Sequence, residues 1–190
     1  MADPLTNRFE EALVFAFRLH KDQLRKQSQI PYISHLLAVT ALVLENGGSE
    51  NQAIAALLHD AVEDQGGYDT LQDIKSRFGE EVACIVDGCT DAYLKPKPDW
   101  KERKIDYLEK IKYADDTVLL VSLADKVHNA RSILKDLQSN EKNVWDKFNG
   151  GKDGTLWYYQ SLAEIFKSCS YHELATELNQ IIEKIIKLSD

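Results

Sequence analysis

The chain has little of several things that would have placed it elsewhere. It has only three cysteines, Cys84, Cys89 and Cys169, an odd number without metal-knuckle spacing. That excludes a disulfide-stapled scaffold and fits free thiols in a reducing compartment. Long apolar runs are missing: the longest, such as Ala53 to Leu58 and Val118 to Val121, fall far short of the roughly 20 residues a bilayer-spanning helix needs. The opening stretch MADPLTNRFEEALVF has neither the basic region nor the uninterrupted apolar segment of a secretory signal. We therefore expect a cytoplasmic protein without a membrane partner. Positive charge is also short, with 23 lysines and arginines against 31 acidic residues and a net charge of −8. A general nucleic-acid binder carries an extended basic surface, so no nucleic-acid partner is expected. An anionic small molecule remains compatible, because cations cluster locally at Lys21, Arg25 and Lys26 and again at Lys95, Lys97, Lys101, Arg103 and Lys104.

What is present is ordinary folded material, 44% hydrophobic and 28% charged over 190 residues, enough for one core without metal or disulfide staples. We expect a single domain over 1–190. Apolar residues recur at helical spacing, and no alternating β-branched run suggests a sheet, so the predicted class is all-α. The spacing predicts helices over 7–24, 34–46, 50–64, 70–77, 80–91, 100–112, 116–137, 155–168 and 171–188. Gly47-Gly48, Gly66-Gly67 and Gly150-Gly151 act as stops or turns. The stretch Leu94-Lys95-Pro96-Lys97-Pro98-Asp99 reads as a loop, because proline removes a backbone donor and restricts the residue before it. The last helix places Leu174, Leu178, Ile181, Ile182, Ile185 and Ile186 on one stripe, to be buried as core or against another subunit; the oligomeric state stays open.

The chemistry concentrates in Ala53 to Asp64. Read as one helix, this segment puts Ile54, Leu57, Leu58 and Ala61 on a core stripe and His59, Asp60, Glu63 and Asp64 on the opposite one. Three acidic groups within two turns repel one another unless a cation sits among them, so a metal is the favoured reading and a solvated face the plain alternative. One helix supplies two or three ligands at most. His35, in the first turn of a helix that Ser34 can cap, and Asp125, at the end of an apolar run, are the best candidates for the others. Each has a plain alternative: His35 as an ordinary core or surface histidine, Asp125 as a salt-bridge partner of Lys126 or Arg131. Two imidazoles and two carboxylates suit Mn²⁺ first, with Fe²⁺, Mg²⁺ or Zn²⁺ compatible. Glu63 and Asp64, one turn on, are placed to accept a proton from a metal-bound water or to orient it.

These residues carry a family resemblance. His35, His59-Asp60 and Asp125 resemble the metal ligands of the HD phosphohydrolase superfamily. The fuller set, Arg25-Lys26, Ile30 to His35, Leu57 to Asp64 and Leu123 to Asn129, resembles the hydrolase domain of the Rel/SpoT stringent-response enzymes and their stand-alone small relatives, over about residues 7–168. The resemblance implies a compact multi-helix bundle with its metal between helices. It implies hydrolysis of the 3′-pyrophosphate of the alarmone (p)ppGpp to GDP or GTP, with guanine or adenine open. It also implies that Arg25, Lys26 and Asn129 meet the nucleotide, that Lys101 and Arg103 contact phosphate, and that Lys152 and Tyr158 supply a cation and a tyrosine. Exposed helix charge explains Lys101 and Arg103 as well, and core packing explains the aromatics. His20, His128 and His172 match no ligand role and are read as structural. With the chain ending at Asp190, no synthetase domain is expected. The alternatives are another HD-type activity, such as a 5′-nucleotidase, a nucleoside triphosphate hydrolase or an NADPH phosphatase, and a non-catalytic nucleotide-binding protein.

Overall fold

A computed structural model describes residues 5–26, 28–93, 96–139 and 143–189; Leu94 and Lys95 of the expected loop lie outside them. The described residues form ten α-helices and one short 3₁₀ turn, with no strand among them. α1 (Asn7–His20) starts where the Thr6 hydroxyl accepts the Arg8 amide, a polar N-cap. It ends a turn earlier than the spacing predicts. Residues 21–26 and 28–32 lie outside the helices, and Leu24 pairs with Pro31 in an antiparallel bridge. α2 (Ile33–Glu45) begins ahead of Ser34, which therefore does not cap it; Tyr32 holds the cap position without a side-chain bond.

α3 (Glu50–Leu58) is the central helix. A reciprocal capping box between Ser49 and Gln52 opens it, and every residue from Gln52 to Leu58 is buried. Its polar stripe is thus confined to its end, where α1, α2, α6 and α8 crowd around it. The expected single helix over 50–64 is broken. Asp60 has φ −96° and ψ −4°, and α4 (Ala61–Gln65) restarts after it. Gly67, at φ +61°, occupies left-handed backbone that glycine tolerates without a Cβ clash, and opens α5 (Gly67–Phe78). α6 (Glu80–Cys89) follows.

α7 (Trp100–Lys112) is capped by the Asp99 carboxylate, and α8 (Asp116–Gln138) by that of Asp115, which accepts two amides. α8 carries Asp125 in a buried run from Leu120 to Asp125. The 3₁₀ turn Val144–Lys147 leads into α9 (Gly151–Phe166), which starts a turn before its predicted position. Gly150 and Gly154 there lie under the Trp100 indole, where a Cβ at Gly150 would meet ring carbons at 2.5 Å. α10 (His172–Ser189) buries Leu174, Leu178, Ile181, Ile182 and Ile185 against α8 and α9, so its stripe is core, each side chain contributing about 1.5–3 kcal/mol. The three cysteines are free thiols. No helix among the described residues is long and apolar enough to cross a membrane.

Candidate functional site

The break at His59-Asp60 faces the first turn of α2 and the middle of α8. His59 Nδ1 lies 2.8 Å from the Ala56 carbonyl, an acceptor only, so this nitrogen carries a proton and Nε2 is the nitrogen left to take a cation. That Nε2 is 3.0 Å from Asp60 Oδ2 and 3.7 Å from Asp125 Oδ1. His35 Nε2 is 3.2 Å from the same Asp125 oxygen and 3.5 Å from Asp60 Oδ2. Both Nε2 atoms are buried without a hydrogen-bond partner among the described residues. A bare polar nitrogen in a core is costly. Here two of them converge with two carboxylates, and one ligand atom each from His35, His59 and Asp125 falls within 4.8 Å of the others. The donor set suits a divalent cation that takes mixed nitrogen and oxygen ligands.

The local field points the same way. Burial alone would depress the His59 imidazolium, but the Asp60 and Asp125 carboxylates outweigh it and hold its pKa well above the usual value. Burial would raise both aspartates; His59 and His35 pull Asp60 well below the carboxylate range. Lys126, with the two histidines, does the same to Asp125. The site attracts positive charge that a metal can supply in place of a proton. Asp125 also makes the salt bridge expected as its plain alternative, to Lys126 at 2.6 Å through Oδ2, leaving Oδ1 toward the imidazoles. Arg131 pairs instead with Glu177.

Glu63 and Asp64 open the next turn, in α4. Burial, and after it the Asp91 and Asp60 carboxylates, push Glu63 up to about 7. Lys97 opposes that shift, its Nζ 2.5 Å from Glu63 Oε1 and 3.8 Å from Asp64 Oδ1. Asp64 is also raised, by burial and Asp60, and accepts a 2.8 Å bond from Gln23. Periodicity did not single out Gln23, Asp91 or Lys97 for this site, because each reaches it from a loop. The Tyr32 hydroxyl, donating to Asp60 at 2.6 Å, was also missed, although it belongs to the quoted motif.

His20 and His128 were read as structural and prove to border the centre. His20 stacks on Tyr32 at 5.3 Å between centroids and bonds to Gln23. His128 Nδ1 is 2.7 Å from His35 Nδ1, and burial, followed by the charges of His35 and Arg25, lowers its pKa to about 4. The spacing of His128, three residues after Asp125 on one helix, was the available signal. His172 is exposed at the start of α10.

The residues implied for the nucleotide divide into two groups. Arg25 donates to Asn129 at 2.7 Å and lies 5.7 Å from the Tyr32 ring centroid, while Asn129 donates to Asp125, so both adjoin the centre. Lys26 reaches Asn149 at 3.3 Å, joining this loop to the start of α9. The second group is committed to the scaffold. Lys101 sits 2.8 Å from the Trp157 centroid, and Arg103 is ion-paired to Asp91 at 2.8 Å. Lys152 donates to the Ser189 carbonyl at the end of α10. Tyr158 is buried among Trp100, Tyr107 and Tyr159, its hydroxyl without a hydrogen-bond partner among the described residues.

Comparison with known proteins fits this geometry. A family model described as HD domain matches residues 12–156. The guanosine-3′,5′-bis(diphosphate) 3′-pyrophosphohydrolase MESH1 of Xenopus tropicalis is 40% identical over 160 residues, spanning 83% of this chain and 82% of that protein. The Mus musculus protein of the same name is 31% identical over 179 residues, 92% of each chain. A solved structure described as a metazoan ortholog of SpoT that hydrolyzes ppGpp superposes with a TM-score of 0.79 at 28% identity, covering 96% of this chain and 98% of that one. The chain belongs to the HD-domain family, and its relatives there are pyrophosphohydrolases of the MESH1 and SpoT type.

Proposed function

We propose that this protein is a metal-dependent hydrolase that removes the 3′-pyrophosphate of guanosine or adenosine polyphosphates, yielding a nucleoside 5′-di- or triphosphate and pyrophosphate. The observation that carries the metal half is the pair of buried, unpartnered imidazole nitrogens facing two carboxylates. The substrate half is supported by similarity to pyrophosphohydrolases over more than four fifths of the chain. His35, His59, Asp60 and Asp125 would hold the ion, with Mn²⁺ the first choice and Fe²⁺, Mg²⁺ and Zn²⁺ compatible. Once bound, a divalent ion there lowers the pKa of a coordinated water and offsets charge developing on a phosphoryl oxygen.

The chain's own residues do the rest. Glu63, raised to about 7, is suited to take a proton from the attacking water near neutral pH, the condition under which a general base works best. Asp64, fixed by Gln23, orients that water. As water oxygen bonds to phosphorus, the bond from phosphorus to the 3′ oxygen breaks, and that oxygen leaves with a proton as the 3′ hydroxyl. Lys97, in contact with Glu63, is the cation nearest these carboxylates among the described residues and would meet a phosphate there. Arg25, through its planar guanidinium, and Asn129 face the nucleoside. Lys26 stands beside them at the rim. Lys101, Arg103, Lys152 and Tyr158 act through the scaffold, held by Trp157, Asp91, the end of α10 and the aromatic cluster.

The test is incubation of metal-stripped protein with Mn²⁺ and a panel of ppGpp, pppGpp, ppApp, NADPH and ordinary nucleotides, with products resolved by ion exchange. Pyrophosphate appearing with GDP, GTP or ADP supports the proposal and names the base. Release of orthophosphate alone rejects the 3′-pyrophosphohydrolase reading in favour of another HD-type phosphatase, and no turnover with any metal rejects catalysis.

A further inference from the structure

His59 and His35 face the same carboxylates, yet their outer nitrogens are held in different ways. His59 Nδ1 meets the Ala56 carbonyl at 2.8 Å. A carbonyl only accepts, so that contact alone decides the tautomer. His35 Nδ1 meets no carbonyl. It meets Nδ1 of His128, 2.7 Å away across the α2–α8 packing, with ring centroids 4.8 Å apart and planes inclined by 44°. An imidazole nitrogen can donate or accept, so the partner does not by itself dictate the direction of the bond. The required direction follows from the other end of the ring: a lone pair at His35 Nε2, toward Asp125 and Asp60, leaves the proton on Nδ1. His128 must then accept.

We propose that His128 is a positioning residue, whose ring accepts the His35 Nδ1–H and thereby holds His35 in the tautomer and orientation that present Nε2 to the metal. This rests on the metal reading of the site above. His128 is not itself a ligand on this geometry, because its Nδ1 is taken up by His35. Its place on α8 suits the role. It follows Asp125 by three residues, on the same face, and its neighbour Asn129 donates to Asp125 Oδ1. One turn of helix thus carries a candidate ligand and the two side chains that orient Asp125 and His35. The Ser132 hydroxyl, bonded to the His128 carbonyl at 3.1 Å, lies on the turn that follows. Such outer hydrogen bonds to a ligating histidine fix its ring and raise its basicity.

The experiment is titration of metal-free protein with Mn²⁺ alone, followed by calorimetry, for the native chain, His59→Ala, His128→Phe and His128→Asn. His128→Phe keeps a flat ring without an acceptor; His128→Asn restores an acceptor oxygen. The expected result is loss of binding in His59→Ala, Mn²⁺ affinity weakened about 10- to 100-fold in His128→Phe, and recovery of most of that loss in His128→Asn. Thermal midpoints of the metal-free proteins are compared alongside, since a purely structural role moves the midpoint and not the affinity of the folded fraction. Native-like Mn²⁺ affinity in His128→Phe, with His59→Ala defective, overturns the role of His128 and leaves the metal reading standing. Undiminished binding in His59→Ala overturns both. If His128→Phe does not fold, His128→Leu, which also lacks an acceptor, decides by the same criteria.

Discussion

Two aspartates 34 positions apart in sequence, both with side chains largely out of water, show the difference between a carboxylate that the chain completes and one that it leaves waiting. Asp91, at the α6–α7 junction, gives one oxygen to Arg103 at 2.8 Å and the other to Lys104 at 2.6 Å. Asp125, on α8, has one oxygen on Lys126 at 2.6 Å, while the other accepts from the neutral Asn129 amide and faces two imidazole nitrogens. Beside it, Asp60 accepts the Tyr32 hydroxyl at 2.6 Å and lies 3.5 and 3.0 Å from the same two nitrogens. No lysine or arginine among the described residues pairs with Asp60. Two full cations complete the first site, whose carboxylate also raises the neighbouring Glu63. Two carboxylates sharing one lysine make the second a site with room for more positive charge.

The largest effect that can break this comparison is at the second site. Asp125→Ala or Asp60→Ala is expected to abolish Mn²⁺ binding by calorimetry and to cut turnover by about a thousandfold or more. Retention of both properties in either variant would remove the metal centre as described. Next comes Glu63→Gln, expected to bind Mn²⁺ like the native chain while kcat drops by about 10²–10⁴; equal losses of binding and turnover would make Glu63 part of the metal's hold instead.

At the completed site the expected loss is in stability. Asp91→Ala strands Lys104 and Arg103, at a cost of about 3 kcal/mol in urea unfolding at neutral pH. Burial works against the Asp91 carboxylate, but Lys104, a hydrogen bond with Glu63, and Arg103 outweigh it and bring its pKa to about 2 from an ordinary 3.8. A group depressed in the folded state stabilises it above the unfolded value and loses that contribution as pH falls through the folded one. Asp91 therefore contributes about 2 kcal/mol that is present above pH 3.8 and fades toward pH 2. Asp91→Asn should flatten that acid limb in unfolding curves. The smallest effect belongs to the exposed pair Arg131–Glu177 between α8 and α10, at 2.7 Å. Glu177→Ala should shift stability by less than about 1 kcal/mol, and a larger shift in thermal midpoint would erase the contrast between buried and exposed pairs.

Several features were legible because they are written in local periodicity and local chemistry. The stripe of α10 and the concentration of acidic and imidazole groups at 59–64 need only neighbours along the chain, whereas the polar caps at Thr6, Ser49, Asp99 and Asp115 were not singled out and the one cap expected, Ser34, lies inside α2. The break within 50–64 was hidden because Asp60 takes its place from Tyr32, 28 residues away. The helical pattern of apolar residues runs on across it. The early end of α1 was hidden likewise, since the pairing of Leu24 with Pro31 leaves no trace in helical spacing. Lys97, Asp91 and Gln23 were missed at the site for a related reason. A loop residue has no period, and its partner is set by where the loop is carried.

From the sequence alone follow the all-helical class and the residues able to ligate and to move protons, because amphipathic spacing and side-chain chemistry are properties of the chain itself. Only the tertiary structure decided which oxygen of Asp125 is spent on Lys126, which nitrogen of His59 is bare, and that His35 leans on His128. Those are matters of direction between residues up to 93 positions apart, fixed when α2, α3 and α8 pack against one another and carry their side chains into a space that water has left.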